Sequence, residues 1–85
     1  MERQQTMASE LDYPQLAEVF ADVLQYAGPL EATTSPREVP RWDSLQHIAL
    51  VTAIERAFAI TLSMDEIMEM RSAGAIEAVL RRHGV

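Results

Sequence analysis

The sequence predicts a single all-α domain, and three observations lead to this prediction. Apolar residues recur at intervals of three and four along most of the chain, which is the spacing of a buried helix face. Period-two alternation of β-branched or aromatic residues, typical of strands, extends over no useful length. The chain has 85 residues, enough for one modest core made from a few helices. We therefore expect a four-helix bundle with a long first loop and a short third helix.

The first helix is predicted to begin near Asp12 or Pro14, because proline suits the first turn of a helix. We expect it to end around residues 27–29, where Ala-Gly-Pro interrupts the helical pattern. The segment 28–42 that follows contains three prolines, and we interpret it as a long ordered loop. The predicted inward face of this helix consists of Leu16, Val19, Phe20, Val23 and Leu24.

The second helix is predicted to run from Asp43 or Ser44 to about Ala57. Asp43 precedes an uninterrupted helical pattern with Gln46 three residues later, so we interpret Asp43 as an N-cap of the capping-box type. Ser44 would then be the first helical residue, beside unpaired backbone N–H groups and the positive end of the helix dipole. A phosphate ester on its hydroxyl would be favoured there. The predicted inward residues are Ile48, Leu50 or Val51, Ile54 and Phe58.

A short third helix is predicted from Met64 to about Met70, because Ser63 and Glu66 have the identities and spacing of a capping box. A break near residues 71–72 separates it from a last helix, which ends in basic residues that suit a helix C-terminus. The residues of the last helix that we expect to face inward are Ile76, Val79 and Leu80.

Composition and charge narrow the classes of function. A net charge of -6 argues against nucleic-acid and anionic-membrane binding and favours docking onto basic surfaces of other proteins. The absence of cysteine excludes disulfides and a cysteine nucleophile, so any thiol chemistry must come from a cofactor. Residues 1–10 lack the apolar core of a signal peptide, and no apolar run approaches transmembrane length. We expect a cytoplasmic monomer with a flexible N-terminus, residues 1–11, and one domain, residues 12–85.

The motif Asp43-Ser44-Leu45 at the start of the second helix, the apolar register of that helix and the link 60–62 resemble the acyl carrier protein family. These are the phosphopantetheine-binding four-helix domains of fatty acid, polyketide and nonribosomal peptide synthesis. The resemblance extends over roughly residues 12–83, nearly the whole chain, and includes the short third helix. It predicts a four-helix bundle of the acyl carrier type.

The resemblance implies that Ser44 is esterified by 4′-phosphopantetheine, which a separate, magnesium-dependent phosphopantetheinyl transferase takes from coenzyme A. An acyl cargo would be held as a thioester on the terminal sulfur of this arm, in agreement with the absence of cysteine. Asp43 would help to hold the metal in the transferase complex, and Leu45 would contribute to partner docking. The chain itself would catalyse no reaction and would present its cargo to acyl-loading and acyl-processing enzymes.

The second helix departs from the pattern of fatty-acid-synthesis carriers. Gln46 and Ala49 stand at positions that are often acidic in those carriers, and Arg56 adds a positive charge. Acidic residues and methionines cluster instead on the third helix, where methionines can form an adaptable contact surface. These departures favour a specialised, free-standing carrier of a secondary-metabolite or other dedicated pathway. The predicted partner-docking residues are Leu45, Gln46, Ile48, Ala49, Asp65, Glu66 and Met68.

Alternative functions remain compatible with these residues. The cargo of a carrier could be an aminoacyl or aryl group loaded by an adenylating enzyme, as in peptidyl and aryl carriers. In a second alternative the chain is a helical interaction module that is never modified, and Ser44 serves only as a helix cap. His47 could serve as a general base for a serine nucleophile, but no oxyanion hole or orienting acid is evident, so we predict an exposed histidine and no hydrolase. We interpret Trp42 as a packing residue that clamps the loop.

Overall fold

The computed structural model describes residues 13–85, which form four α-helices joined by loops. The helices are α1 (Pro14–Leu24), α2 (Ser44–Phe58), α3 (Met64–Glu69) and α4 (Ala73–Arg82). No strand is present in this part of the chain. The predicted all-α, four-helix bundle with a long first loop and a short third helix is confirmed. None of the four helices has the length and apolarity that crossing a membrane would require.

The start of α1 agrees with the sequence prediction, whereas its end does not. The helix begins at Pro14, and the alternative start at Asp12 lies outside the described residues, as does the predicted flexible N-terminus. It ends at Leu24, so the predicted end around residues 27–29 is wrong. Gln25 turns the chain with a left-handed backbone conformation (φ 52°) while its N–H still donates to a carbonyl of α1. The helix therefore ends without the glycine or proline that usually marks this position.

The core is formed by the inward faces of α1, α2 and α4 together with residues of the loops. Full burial of a leucine, isoleucine, valine or methionine side chain stabilises the fold by about 1.5–3 kcal/mol relative to leaving it exposed. Phe20 of α1 packs edge-on against Trp42, with ring centroids 5.3 Å apart, and confirms the packing role predicted for Trp42. The other large side chains with at most 1% exposure are Leu16, Leu24, Val39, Leu50, Ile54, Met70, Ile76, Val79 and Leu80.

The buried face of α2 differs from the one that the sequence pattern predicts. Leu50 and Val51 are both buried, but Ile48 is 57% exposed, so its predicted inward position is wrong. At about 100° per residue, Ile48 lies roughly 200° around the helix from Leu50, on the opposite side. Its exposure is nevertheless consistent with its predicted place among the docking residues.

Two other residues predicted to face inward are only partly buried, Val23 on α1 and Phe58 at the end of α2. Phe58 lies at the edge of the core, where its ring meets that of Tyr13 edge-on at a centroid distance of 5.8 Å. The fully buried aromatic ring of the bundle is therefore Phe20.

The long loop between α1 and α2 packs against the N-terminus of α4. The Thr34 carbonyl accepts a hydrogen bond from the Ala73 N–H, and the Ala32 carbonyl accepts one from the Gly74 N–H, both at 2.9 Å. These two bonds satisfy N–H groups that the first turn of a helix cannot pair internally. The approach is so close that a Cβ atom at Gly74 would lie 2.9 Å from the Ala32 carbonyl oxygen. The loop is thus part of the folded core.

The buried carboxylate of Glu77 on α4 forms a hydrogen bond with the residue that precedes α1. Glu77 is 4% exposed, and its Oε2 accepts a hydrogen bond from the Tyr13 N–H at 3.1 Å. Its Oε1 lies 3.6 Å from Arg81 Nη1. The Tyr13 hydroxyl donates to the Val85 carbonyl at 2.7 Å, which adds a second link between the two ends of the described chain.

Candidate functional site

Asp43 and Ser44 begin α2 as predicted. The Asp43 side chain is the N-cap, because its Oδ1 accepts a hydrogen bond from the Gln46 N–H at 2.8 Å. The reciprocal half of a capping box is not formed, since the Asp43 N–H donates to the Arg41 carbonyl instead. Ser44 is the first residue of the helix, and capping by Asp43 leaves its hydroxyl free for another role.

The surroundings of Ser44 fit a phosphate ester. The side chain is exposed, and its hydroxyl makes no hydrogen bond within residues 13–85. The backbone N–H groups of Ser44 and Leu45 also have no acceptor in this part of the chain. They point outward at the positive end of a 15-residue helix, where negatively charged oxygens are stabilised by the dipole and by the open donors.

A groove of about 560 Å³ lies between α2 and α3 and reaches Ser44. Polar residues on its wall include Asp43 and Arg71. Most of the wall is apolar, and Pro36 of the long loop contributes to it. The groove can therefore receive an apolar group attached near the serine. Its large apolar side chains are Trp42, Ile48, Met64, Ile67, Met68 and Met70.

His47 is half-buried, so the predicted exposed histidine is wrong. The Trp42 indole N–H donates to His47 Nδ1 at 2.9 Å, which makes Nδ1 the acceptor and assigns the proton of the neutral ring to Nε2. Nε2 lies 2.9 Å from the Ile67 carbonyl oxygen of α3 and donates to it. The planes of the indole and imidazole rings are inclined by only 19°, with centroids 6.0 Å apart, as expected for rings joined edge to edge by this hydrogen bond. Both ring nitrogens are engaged, which agrees with rejecting His47 as a general base for Ser44.

The predicted docking residues on α2 and α3 differ in exposure. Ala49 and Asp65 are exposed, while Gln46 and Glu66 are half-buried. Met64, one of the methionines of the predicted contact surface but not one of the predicted docking residues, is exposed and lines the same groove as Ile48 and Met68. We call the exposed apolar residues beside Ser44 the α2–α3 surface, which consists of Leu45 (76% exposed), Ile48 (57%), Met64 (69%) and Met68 (61%).

Two of the acidic residues of α3, Glu66 and Glu69, contact basic residues at the end of α4. Glu66 accepts a hydrogen bond from the Ser63 N–H at 2.9 Å and completes the predicted capping box. His83 Nε2 lies 3.0 Å from Glu66 Oε2, and Arg82 forms an ion pair with Glu69 at 2.9 Å. The backbone hydrogen bond from Ser63 and then the contact with His83 hold the pKa of Glu66 below its ordinary value. These carboxylates are therefore committed to contacts within the bundle.

The described part of the chain contains no cluster of three or more histidine and carboxylate side chains that could hold a metal ion. Asp43 offers one oxygen ligand for a metal ion, because its second carboxylate oxygen makes no hydrogen bond to residues 13–85. A single carboxylate is a weak ligand for magnesium, which usually keeps several waters and takes further ligands from phosphates.

The sequence from residue 14 to residue 80 matches the family model described as a phosphopantetheine attachment site. No curated protein matches the chain. The matched segment runs from the first helix into the last and contains the exposed serine at the start of α2. Domains of this family are the attachment site of a covalent 4′-phosphopantetheine group. The chain belongs to the phosphopantetheine attachment site family, the carrier domains typified by acyl carrier proteins.

Proposed function

We propose that Ser44 is the residue to which the phosphopantetheine of this carrier is attached. The observation that supports this assignment is the exposed hydroxyl on the first residue of α2, which has no hydrogen-bond partner among the described residues. The other serines that begin helices are committed as caps, since Ser63 and Ser72 each accept a backbone N–H with their hydroxyl oxygen. Ser44 differs from them because Asp43 performs that task.

In the loading reaction, Ser44 Oγ forms a bond to the phosphorus of the phosphopantetheine moiety of coenzyme A. The pyrophosphate P–O bond breaks, adenosine 3′,5′-bisphosphate leaves, and the serine proton passes to a base of the transferase. The open N–H groups of Ser44 and Leu45 favour the phosphate ester that results. With one oxygen on the Gln46 N–H, Asp43 would have its other oxygen available as a ligand for a magnesium ion in the transferase complex.

The cargo that we propose is an acyl group, held as a thioester on the thiol that the arm supplies. The apolar groove beside Ser44 supports an acyl cargo over an aminoacyl cargo, because a charged ammonium group would lose hydration against this wall. The chain would act as a carrier and not as an enzyme. Its partners would be acyl-loading and acyl-processing enzymes of a fatty-acid, polyketide or other secondary-metabolite pathway.

We further propose that these partners dock beside Ser44, where the α2–α3 surface provides apolar contact area. Gln46 and Ala49 lie on the same helix, and Asp65 adds an exposed negative charge. Glu66 contributes less, because its carboxylate is held by Ser63 and His83.

The attachment is tested by intact-protein mass spectrometry after incubation with coenzyme A, magnesium and a broad-specificity phosphopantetheinyl transferase. We expect one phosphopantetheinyl increment on the native chain and none on Ser44→Ala. Ser72→Ala is the matched control, because it removes another serine at a helix start, here the cap of α4, and should still be loaded. An increment on Ser44→Ala would place the arm on another residue. No increment on a folded native chain with two different transferases would contradict the assignment and favour an unmodified interaction module.

A further inference from the structure

Two hydrogen bonds in the wall of the groove, next to Ser44, form a bridge. We call it the Trp42–His47 bridge: the Trp42 indole N–H donates to His47 Nδ1, and His47 Nε2 donates to the Ile67 carbonyl, both at 2.9 Å. It joins three segments of the chain, namely the end of the long loop, the first turns of α2 and the middle of α3. His47 is therefore a direct link between the two helices that form the groove.

The bridge lies between the groove and the part of the core around Phe20, while Met70 belongs to both the groove wall and the core. Trp42 is 4% exposed, and on the core side its ring packs edge-on against Phe20, which is fully buried. On its other side, Trp42 lines the groove together with His47. A group that moved inward past Trp42 would have to break these hydrogen bonds and would leave the indole N–H and the Ile67 carbonyl unpaired, which is unfavourable in a buried setting.

We propose that the Trp42–His47 bridge keeps a cargo tethered at Ser44 in the open groove and excludes it from the helical core. The proposal rests on the function proposed above and assigns a positioning role to His47, which acts through Trp42 and the Ile67 carbonyl. On the outer side the groove is bordered by Met64 and Met68, whose unbranched side chains adapt to groups of different shape. The groove therefore accepts apolar acyl groups of varied size and leaves their thioester within reach of partner enzymes.

The test uses the ¹⁵N-labelled protein loaded by a broad-specificity transferase with either coenzyme A or octanoyl-coenzyme A. Intact mass confirms loading, and amide spectra of the two loaded forms are compared so that only the effect of the octanoyl group is seen. We expect octanoyl-dependent shifts at groove residues, with Ile48, Ile67 and Met68 as reporters. We expect no octanoyl-dependent shifts at core residues outside the groove, with Leu24, Ile76 and Leu80 as reporters.

Removing the His47 side chain should allow the octanoyl group to enter the core from the groove. His47→Ala is expected to gain octanoyl-dependent shifts at the core reporters, and His47→Leu, which keeps apolar bulk but loses both hydrogen bonds, serves should the alanine variant not fold. His83→Ala is the matched control, because it also removes a histidine that links α3 to another helix, here by the contact with Glu66, but it lies outside the groove. It should behave like the native chain.

Two spectral outcomes would overturn the proposal. Octanoyl-dependent shifts at the core reporters of the native chain would show that the bridge does not exclude the cargo. Unchanged core reporters in a folded His47 variant would show that another feature excludes it. A native chain that gains no mass would refute the attachment at Ser44 instead, and the proposal would fall with it, so the mass spectrum distinguishes the two failures.

Discussion

Replacing Gly74 by alanine should destabilise the protein, although alanine is the better helix former. Within a helix, Gly→Ala is worth about 1 kcal/mol in favour of alanine. At this position, however, the new Cβ atom would lie 2.9 Å from the Ala32 carbonyl oxygen and 3.1 Å from the Ala32 Cβ atom. The loop backbone must therefore move away from α4 to make room for the methyl group.

The structure allows the opposing effects to be compared. Overpacking of a close contact typically costs about 1–3 kcal/mol. Moving the loop also strains the hydrogen bonds from Ala73 and Gly74 to Thr34 and Ala32, each worth about 0.5–1.5 kcal/mol. After subtraction of the helix-propensity gain, we expect Gly74→Ala to lower the free energy of unfolding by about 1–2 kcal/mol. For a domain of this size that corresponds to a decrease in Tm of roughly 4–16 °C.

The assay is urea and thermal unfolding followed by circular dichroism. Ala78→Gly, at an exposed position of the same helix, calibrates the local propensity effect and should destabilise by about 1 kcal/mol. Both substitutions would then lower stability, although they exchange the same two residues in opposite directions. If Gly74→Ala instead raised stability by as much as Ala78→Gly lowers it, the close docking of the loop on α4 would be wrong.

Further expectations concern the core, a helix end and an acidic group. Phe20→Ala should cost about 3–5 kcal/mol and Phe58→Ala no more than about 2 kcal/mol, because the second ring is only partly buried; equal losses in urea unfolding would contradict this. Ala59→Gly should raise the urea midpoint, with a gain of about 0.5–1 kcal/mol, since Ala59 has a left-handed backbone (φ 56°); a lower midpoint would count against it. The lowered pKa of Glu66 means that its carboxylate stabilises the fold above its ordinary pKa of 4.5, and this stabilisation is lost as pH falls through the lower folded value. The acid side of a stability–pH curve should therefore be flatter for Glu66→Gln, and an unchanged slope would refute the role of this group.

Much of the fold follows from local patterns in the sequence. The caps at Asp43 and Ser63 are formed by short side chains that bond to N–H groups three residues away, so their effect is visible within a few residues. The inward residues of α4 follow the helical period without interruption. Ser44 was placed at the first position of α2 by the same local reasoning, and the structure agrees.

Errors arose where a contact between distant segments or an uncommon backbone conformation decided the outcome. The end of α1 depends on Gln25 in a left-handed conformation that glycine usually adopts. The burial of His47 depends on partners in the loop and in α3, and one of them is a backbone carbonyl that has no sequence signature. The burial of Glu77 has no local signal in the sequence either, because one of its partners is the Tyr13 N–H, 64 residues away. Pairing of this kind requires knowledge of which elements are neighbours.

The spacing of apolar residues on α2 does not show which side of this helix faces the core. The apolar residues of this helix cover more than one face, so the sequence indicated an apolar helix without saying which side faced the core. Ile48 was therefore predicted both to face inward and to take part in docking, and the structure separates the two by exposing it. When a helix is apolar on two sides, only its packing against neighbouring elements determines which side is buried.

The position of Trp42 gives the protein an internal optical probe. It is the sole tryptophan of the chain, and its indole is buried, in contact with the Phe20 ring and hydrogen-bonded to the imidazole of His47. Emission excited at the red edge of the protein absorption band therefore comes from a single ring, two residues before Ser44 in the sequence. Its wavelength should report the packing of the core, and quenching by the imidazole should report the geometry at the start of α2. One fluorescence spectrum of the unlabelled protein thus samples folding and the attachment region together.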